Sequence, residues 1–196
     1  MSDAIHFGRR ERTMAWLSAA AWLVVPVAWE TSRLLERTRP WEGSPRVAYV
    51  IGAAAALTAG ALMLGLVIVA TAAAPRSKQM WVGIGLVGLG VVASLIAGWA
   101  IPLWATLFGV GMLLIAAAGR VRTPGRIIGT ALLASTAAFV LLSALKVGTA
   151  DSYGDYPAAW SIATWLGTLG AAVGMLVWAR IGERQFAAES ERASIG

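Results

Sequence analysis

From Gln79 to Gly119 the chain runs without one ionisable side chain. A helix needs roughly 20 apolar residues to cross a hydrocarbon core of about 30 Å, and this run is about twice that length. Gly98-Trp99-Ala100-Ile101-Pro102 interrupts it near the middle, so it reads as a tight helical hairpin lodged in a membrane. The rest of the chain is organised around that hairpin.

The hairpin is not an isolated apolar island: 58% of the 196 residues are hydrophobic and 13% are charged. These fractions argue against a disordered chain and an ordinary water-soluble domain, and for a polytopic membrane protein. The longest polar segment, Glu30 to Arg46, leaves no room for a separate soluble domain, so one membrane domain over residues 1–196 is expected. The net charge of +6 does not point to nucleic acid, because the arginines stand singly or in small groups at the ends of apolar runs. That is where orientation signals and anionic headgroups place them. With no cysteine there is no disulfide, thiolate metal site or thiol nucleophile, and His6, the one histidine, stands in a polar tail.

The apolar runs predict six spans, at about 13–29, 47–74, 80–97, 102–118, 127–145 and 158–179. Arg9-Arg10-Glu11-Arg12 before the first span resembles a secretory or twin-arginine signal only superficially. Glu11 and Arg12 stand where an apolar continuation would be needed and no small-x-small cleavage site follows, so an uncleaved span is expected. Pro26 lies inside that span and removes the helical partner of the Trp22 carbonyl, which predicts a kink. Glu30 with Arg33, and Glu36 with Arg39, are i,i+3 pairs that suit a helical extension beyond the membrane surface. Ser44-Pro45 supplies a cap and a first-turn proline for the second span, and Pro102 opens the fourth. Gly119 to Arg126 reads as a short basic turn, and the residues from Arg180 onward as a polar tail.

Gly83, Gly85 and Gly88 spell G-x-G-x-x-G, but no strand precedes them and no acidic residue follows before Asp151, so a dinucleotide site is not expected. Small residues that let helices approach closely are the better reading, as they are for Gly170 and Gly174 in the sixth span.

Six spans with a cytoplasmic N-terminus place Arg9, Arg10, Arg12, Arg76, Lys78, Arg120, Arg122, Arg126, Arg180, Arg184 and Arg192 inside. Arg33, Arg37, Arg39, Arg46 and Lys146 fall outside, so the basic residues favour both termini in the cytoplasm of a cell whose inner membrane holds the chain. The four arginines of the first outer loop are the exception. Abundant Ala and Gly, with Arg used over Lys, suit a GC-rich bacterial source. Ser44-Pro45-Arg46 before Ile51-Gly52 resembles Thr123-Pro124-Gly125-Arg126 before Ile128-Gly129, and Trp22…Pro26…Trp29 resembles Trp99…Pro102…Trp104. These matches raise a 3+3 inverted repeat of the kind many transporters use; shared helix-end chemistry explains them as well.

No acidic residue falls within a span interior, Glu30 being the nearest, so neither a buried carboxylate proton relay nor a voltage-sensor helix is expected. Thr58, Ser94, Thr106, Thr130, Ser135, Thr136, Ser143, Ser161, Thr164 and Thr168 could line a solute path, although such hydroxyls more often bond their own helix backbone or a neighbouring helix. Ser and Thr without a histidine base, and no Cys or His metal spacing, predict no enzyme, no metal and no cofactor. The one place where polar groups could gather is the outer face, where Arg33, Arg37, Lys146, Asp151 and Asp155 share a side; an Asp-Gly-Pro turn anchored by tyrosines is the plainer reading of the two aspartates.

The expectation is an all-α six-transmembrane-helix bundle whose partners are the lipid bilayer and another membrane protein or a second copy of itself. The function expected is that of a non-enzymatic component acting through helix contacts. A small-solute transporter or channel on the three-helix repeat is the alternative, with a lipid-active enzyme at the outer face third.

Overall fold

The computed structural model describes residues 9–38, 44–72, 77–96, 101–118, 121–145 and 158–195, and all of its regular structure is helical. Six helices follow in chain order: α1 (Arg9–Thr38), α2 (Ser44–Ala72), α3 (Lys78–Ile96), α4 (Ile101–Ala117), α5 (Arg122–Ala144) and α6 (Ala158–Ile195). Four carry stretches long and apolar enough to cross a membrane: Arg10–Leu35, Val47–Ala72, Arg122–Ala144 and Ala159–Gly182. The apolar stretches of α3 and α4 are shorter, Lys78–Ser94 and Leu103–Ala117.

Local chemistry sets the helix ends. α1 continues through Pro26 and on to Thr38, past its apolar stretch. Toward its C-terminal end Thr31 and Thr38 donate to the carbonyls of Val27 and Leu34, at 2.8 and 3.0 Å. α5 begins at Arg122, earlier than expected, so the second half of the anticipated basic turn is helix. Pro124 is tolerated there because first-turn N–H groups have no intrahelical acceptor to lose. α6 departs furthest from expectation: the residues after Ala179, read as a polar tail, stay helical to Ile195. Past Gly182 that stretch holds Glu, Arg, Gln and Ala, all good helix formers, and no proline.

Consecutive helices pack on one another, and α1 packs on α6, which closes the six into a ring. The contacts show each neighbouring pair to be antiparallel. Ala28 meets Gly52, and Ser18 donates to the Ala59 carbonyl at 3.0 Å, between α1 and α2. Gly83 lies against Gly111 and Gly90 against Phe108, between α3 and α4. Ser135 faces Gly167 and Ile128 faces Gly174, between α5 and α6. Arg33 reaches Ser161 at one end of the α1–α6 pair, while Trp16 shares a groove with Arg184 at the other. The N-terminal end of α1 and the C-terminal end of α6 therefore lie at the same end of the bundle.

The interior is filled by large side chains from several helices. Trp22, Met63, Phe108, Met112, Ile128, Leu132 and Met175 are all fully buried. Trp22 of α1 stacks on Trp104 of α4, with ring centroids 6.0 Å apart, and meets the edge of Phe108 at 6.2 Å. Leucines, valines and tryptophans such as Leu17, Val50, Trp81, Leu89, Leu141 and Leu166 stand exposed around the outside. Apolar side chains on both the inside and the outside are what a lipid-embedded bundle requires.

Two crossings are closer than side chains would permit. A Cβ on Gly83 would lie 2.8 Å from the Gly111 carbonyl oxygen, and one on Gly111 would lie 2.8 Å from that of Gly83. Gly109 and Gly129 show the same reciprocity between α4 and α5, at 3.1 and 2.9 Å. Helix α4 is thus clamped on both sides through glycine.

Candidate functional site

The site begins with a stripe on α1. Trp22, Trp29 and Arg33 follow at spacings of seven and four residues, which puts them on one face of a helix. Trp22 is in the core, as described. One end of the bundle receives the other two. Trp29 stacks on Trp160 at the start of α6, with centroids 6.4 Å apart and planes at 25°, and contacts Tyr49 of α2 at 6.4 Å. Trp160 in turn meets Phe139 of α5 edge to face at 4.8 Å. Four helices thereby contribute one aromatic layer.

Polar groups sit on the outer side of this layer. Arg33 Nη1 donates to Ser161 Oγ at 2.9 Å and lies 3.8 Å from Glu30 Oε2. The side chains of Arg33 and Glu30 are 20% and 36% exposed, so the pair is partly screened and its net contribution to stability is small. The tie to Ser161 matters more for geometry, because it joins α1 to α6.

A cavity of about 40 Å³ lies on the inner side of the layer. Val25, Trp29, Gly52, Ser94, Trp104 and Thr164 are among the side chains around it, so five of the six helices contribute. A buried water needs about 10–15 Å³ measured this way, and the space suits about three. Ser94 and Thr164 already donate to the Val91 and Trp160 carbonyls, both at 2.7 Å. Their hydroxyl oxygens therefore offer the cavity acceptor lone pairs.

Most of the other hydroxyls expected along a solute path serve one of two uses. Thr58, Thr130, Thr136 and Thr168 donate to carbonyls in the preceding turn of their own helices. Ser135 donates to the Ala163 carbonyl on α6 at 2.6 Å, and Thr106 pairs with Thr136 between α4 and α5 at 3.2 Å.

Of the expected outer-face residues, Arg33 is placed as described, and Arg37 lies on α1 with its side chain outside the described set. Lys146, Asp151 and Asp155 fall outside the described residues. The partner that the sequence reading did not assign to Arg33 is Ser161, and the missing knowledge was that α1 closes on α6. Among the described residues no three His, Cys, Asp or Glu side chains gather where they could hold a metal ion.

The helix-packing glycines differ among themselves. Gly83 is in the α3–α4 crossing, Gly170 abuts Ala131, and Gly174 abuts Ile128. At Gly85 and Gly88 an added Cβ would meet nothing. No protein-family model matches this chain, and neither a curated protein nor a solved structure matches it.

Proposed function

We propose that this chain is a multi-pass component of a membrane assembly, with six spans in the cell's inner membrane, both termini in the cytoplasm, and a non-catalytic role exercised through helix contacts. The observation that carries this reading is the outward face of α3. Gly85 is exposed, Gly88 is half-buried, a Cβ added at either would meet nothing within 4 Å, and Trp81, Leu89 and Val92 stand exposed beside them. Glycine within a helix costs about 0.5–1 kcal/mol relative to alanine. At Gly83 and Gly111 a close crossing inside the chain offsets that cost, whereas at Gly85 and Gly88 no intramolecular contact does. A helix from another chain, or from a second copy, would use them.

The test is purification from native membranes in mild detergent with mass spectrometry of what co-purifies. Stoichiometric partner subunits, or a stable homo-oligomer, are expected, and Gly85→Leu/Gly88→Leu should release them while leaving the chain folded. A lone monomer in wild type would overturn the reading.

The cavity shared by five helices favours a second reading, a small-solute transporter or channel built on the three-helix repeat. At about 40 Å³ the space admits only water-sized species in this conformation, so solute passage would require the aromatic layer to part. Solute flux in liposomes reconstituted with the monomer tests it.

A further inference from the structure

The α1–α6 seam opens into a groove of about 300 Å³ at the end of the bundle where α1 begins and α6 carries on past its apolar stretch. That volume is at the lower end of small-molecule sites. Its polarity is graded along the helices. Trp16, Val173 and Val177 form the part nearer the bundle's middle, and Arg180 and Arg184 line the part nearer its end. Arg180 and Arg184 are one turn apart and both exposed, and Trp16 is 43% exposed. Arg12 precedes Trp16 by one turn on α1 and stands toward the same end. Cationic groups at the membrane surface with an apolar wall running inward reproduce the layout of a phospholipid.

We propose that this groove holds one anionic phospholipid of the surrounding bilayer, with its phosphate against Arg180 and Arg184 and an acyl chain along Trp16, Val173 and Val177. Charge complementarity selects the occupant. A zwitterionic lipid would fill the same apolar wall, but its ammonium group would face two guanidinium groups. Guanidinium is also the side chain best suited to phosphate, because its planar donors match two phosphate oxygens. The proposal rests on the membrane placement above and is independent of whether the chain is a component or a transporter.

The test uses the purified, delipidated full chain in detergent, titrated with phosphatidylglycerol or phosphatidylcholine of identical acyl chains and read by native mass spectrometry. Wild type should retain a single phosphatidylglycerol about 10-fold or more tightly than phosphatidylcholine, in keeping with two arginines near an anionic headgroup. Arg180→Gln/Arg184→Gln should bring the two affinities together. Arg122→Gln/Arg126→Gln removes two exposed arginines at the same end of the bundle and should leave the preference intact. Val177→Trp, which fills the wall, should weaken both lipids. Absence of a saturable single-lipid adduct, equal affinities in wild type, or an equal loss in the α5 control pair would each overturn the proposal. So would full displacement by millimolar inorganic phosphate, which would make the site one for free phosphate. A chain that stays folded and monodisperse without detergent overturns the membrane placement itself, a separate result.

Discussion

At Gly83 and Gly111 adding a single side chain should be felt strongly, because each would drive a Cβ against the other's carbonyl oxygen. Backbone cannot swing away as a flexible side chain can. Gly111→Val should therefore destabilise the protein by about 1–3 kcal/mol, the usual range for overpacking. In the isolated monomer Gly85→Ala should be neutral or stabilising by up to about 1 kcal/mol, since within the chain open space lies beyond it and alanine is the better helix former. Reversible unfolding in mixed detergent micelles measures both, and equal effects would discredit the crossing. Ser135 makes a comparable case for hydrogen bonding. Its bond to the Ala163 carbonyl is buried, yet interhelical bonds in membranes average only about 0.6 kcal/mol with a maximum near 1.7. Ser135→Ala should fall within that range, and a loss above 3 kcal/mol would mean that Ser135 does more than tie α5 to α6. Composition marks such glycines as packing residues but does not say which way each one faces. At 100° per residue, Gly83 and Gly85 point to nearly opposite sides of α3. The same arithmetic sends Gly109 and Gly111 of α4 to different neighbours, a signal that was present in the spacing and readable only once the neighbours were known.

Apolar runs made the existence of all six helices legible, but their ends only unevenly: α5 ends within a residue of expectation, yet it begins five residues early despite Pro124 and Gly125. Hydropathy ends α6 at Ala179, whereas the helix follows backbone propensity to Ile195. The first loop behaved differently, because its i,i+3 charge pairs announced the continuation of α1 to Thr38. The register between elements was not legible at all, since side chains from separate helices meet by shape. It can be tested directly in a chain with no native cysteine. A Cβ on Gly52 would lie 3.2 Å from that of Ala28, and disulfides need Cβ atoms about 3.5–4.5 Å apart. Ala28→Cys/Gly52→Cys should therefore cross-link readily under mild oxidant, seen as a mobility shift on non-reducing gels. Moving the α2 cysteine to exposed Ile51 should abolish the product; cross-linking of both pairs alike would refute the α1–α2 register.

At the scale of the molecule, ring closure decides what the sequence could and could not show. Arg33 was recognisable as a charge at the end of the first apolar run, but Ser161 lies 128 positions away and becomes its partner only because α6 returns beside α1. The antiparallel order also gathers Arg10, Arg12, Lys78, Arg122, Arg126, Arg180 and Arg184 at one end of the bundle and leaves Arg33 and Glu30 at the other. Arg37 of α1 and Arg46 of α2 belong to that other end as well, and under the proposed membrane placement the remaining excess of positive charge would put the termini in the cytoplasm. Four helices are long enough to span and α3 and α4 are shorter, at 19 and 17 residues or about 29 and 26 Å. Six crossings, or four crossings with α3–α4 as a re-entrant hairpin, put every other connection on the same side. Only the α3–α4 turn tells them apart. About 26 Å falls just short of the typical hydrocarbon thickness, a mismatch that local thinning of the bilayer absorbs at a fraction of a kcal/mol per Å. Six crossings are therefore the expected arrangement. In intact cells Ala100→Cys should react with a membrane-impermeant maleimide added from outside, while Ser77→Cys should react only after the membrane is opened. If Ala100→Cys stays protected until lysis, the hairpin is re-entrant, and the three-helix inverted repeat falls with the two lost crossings.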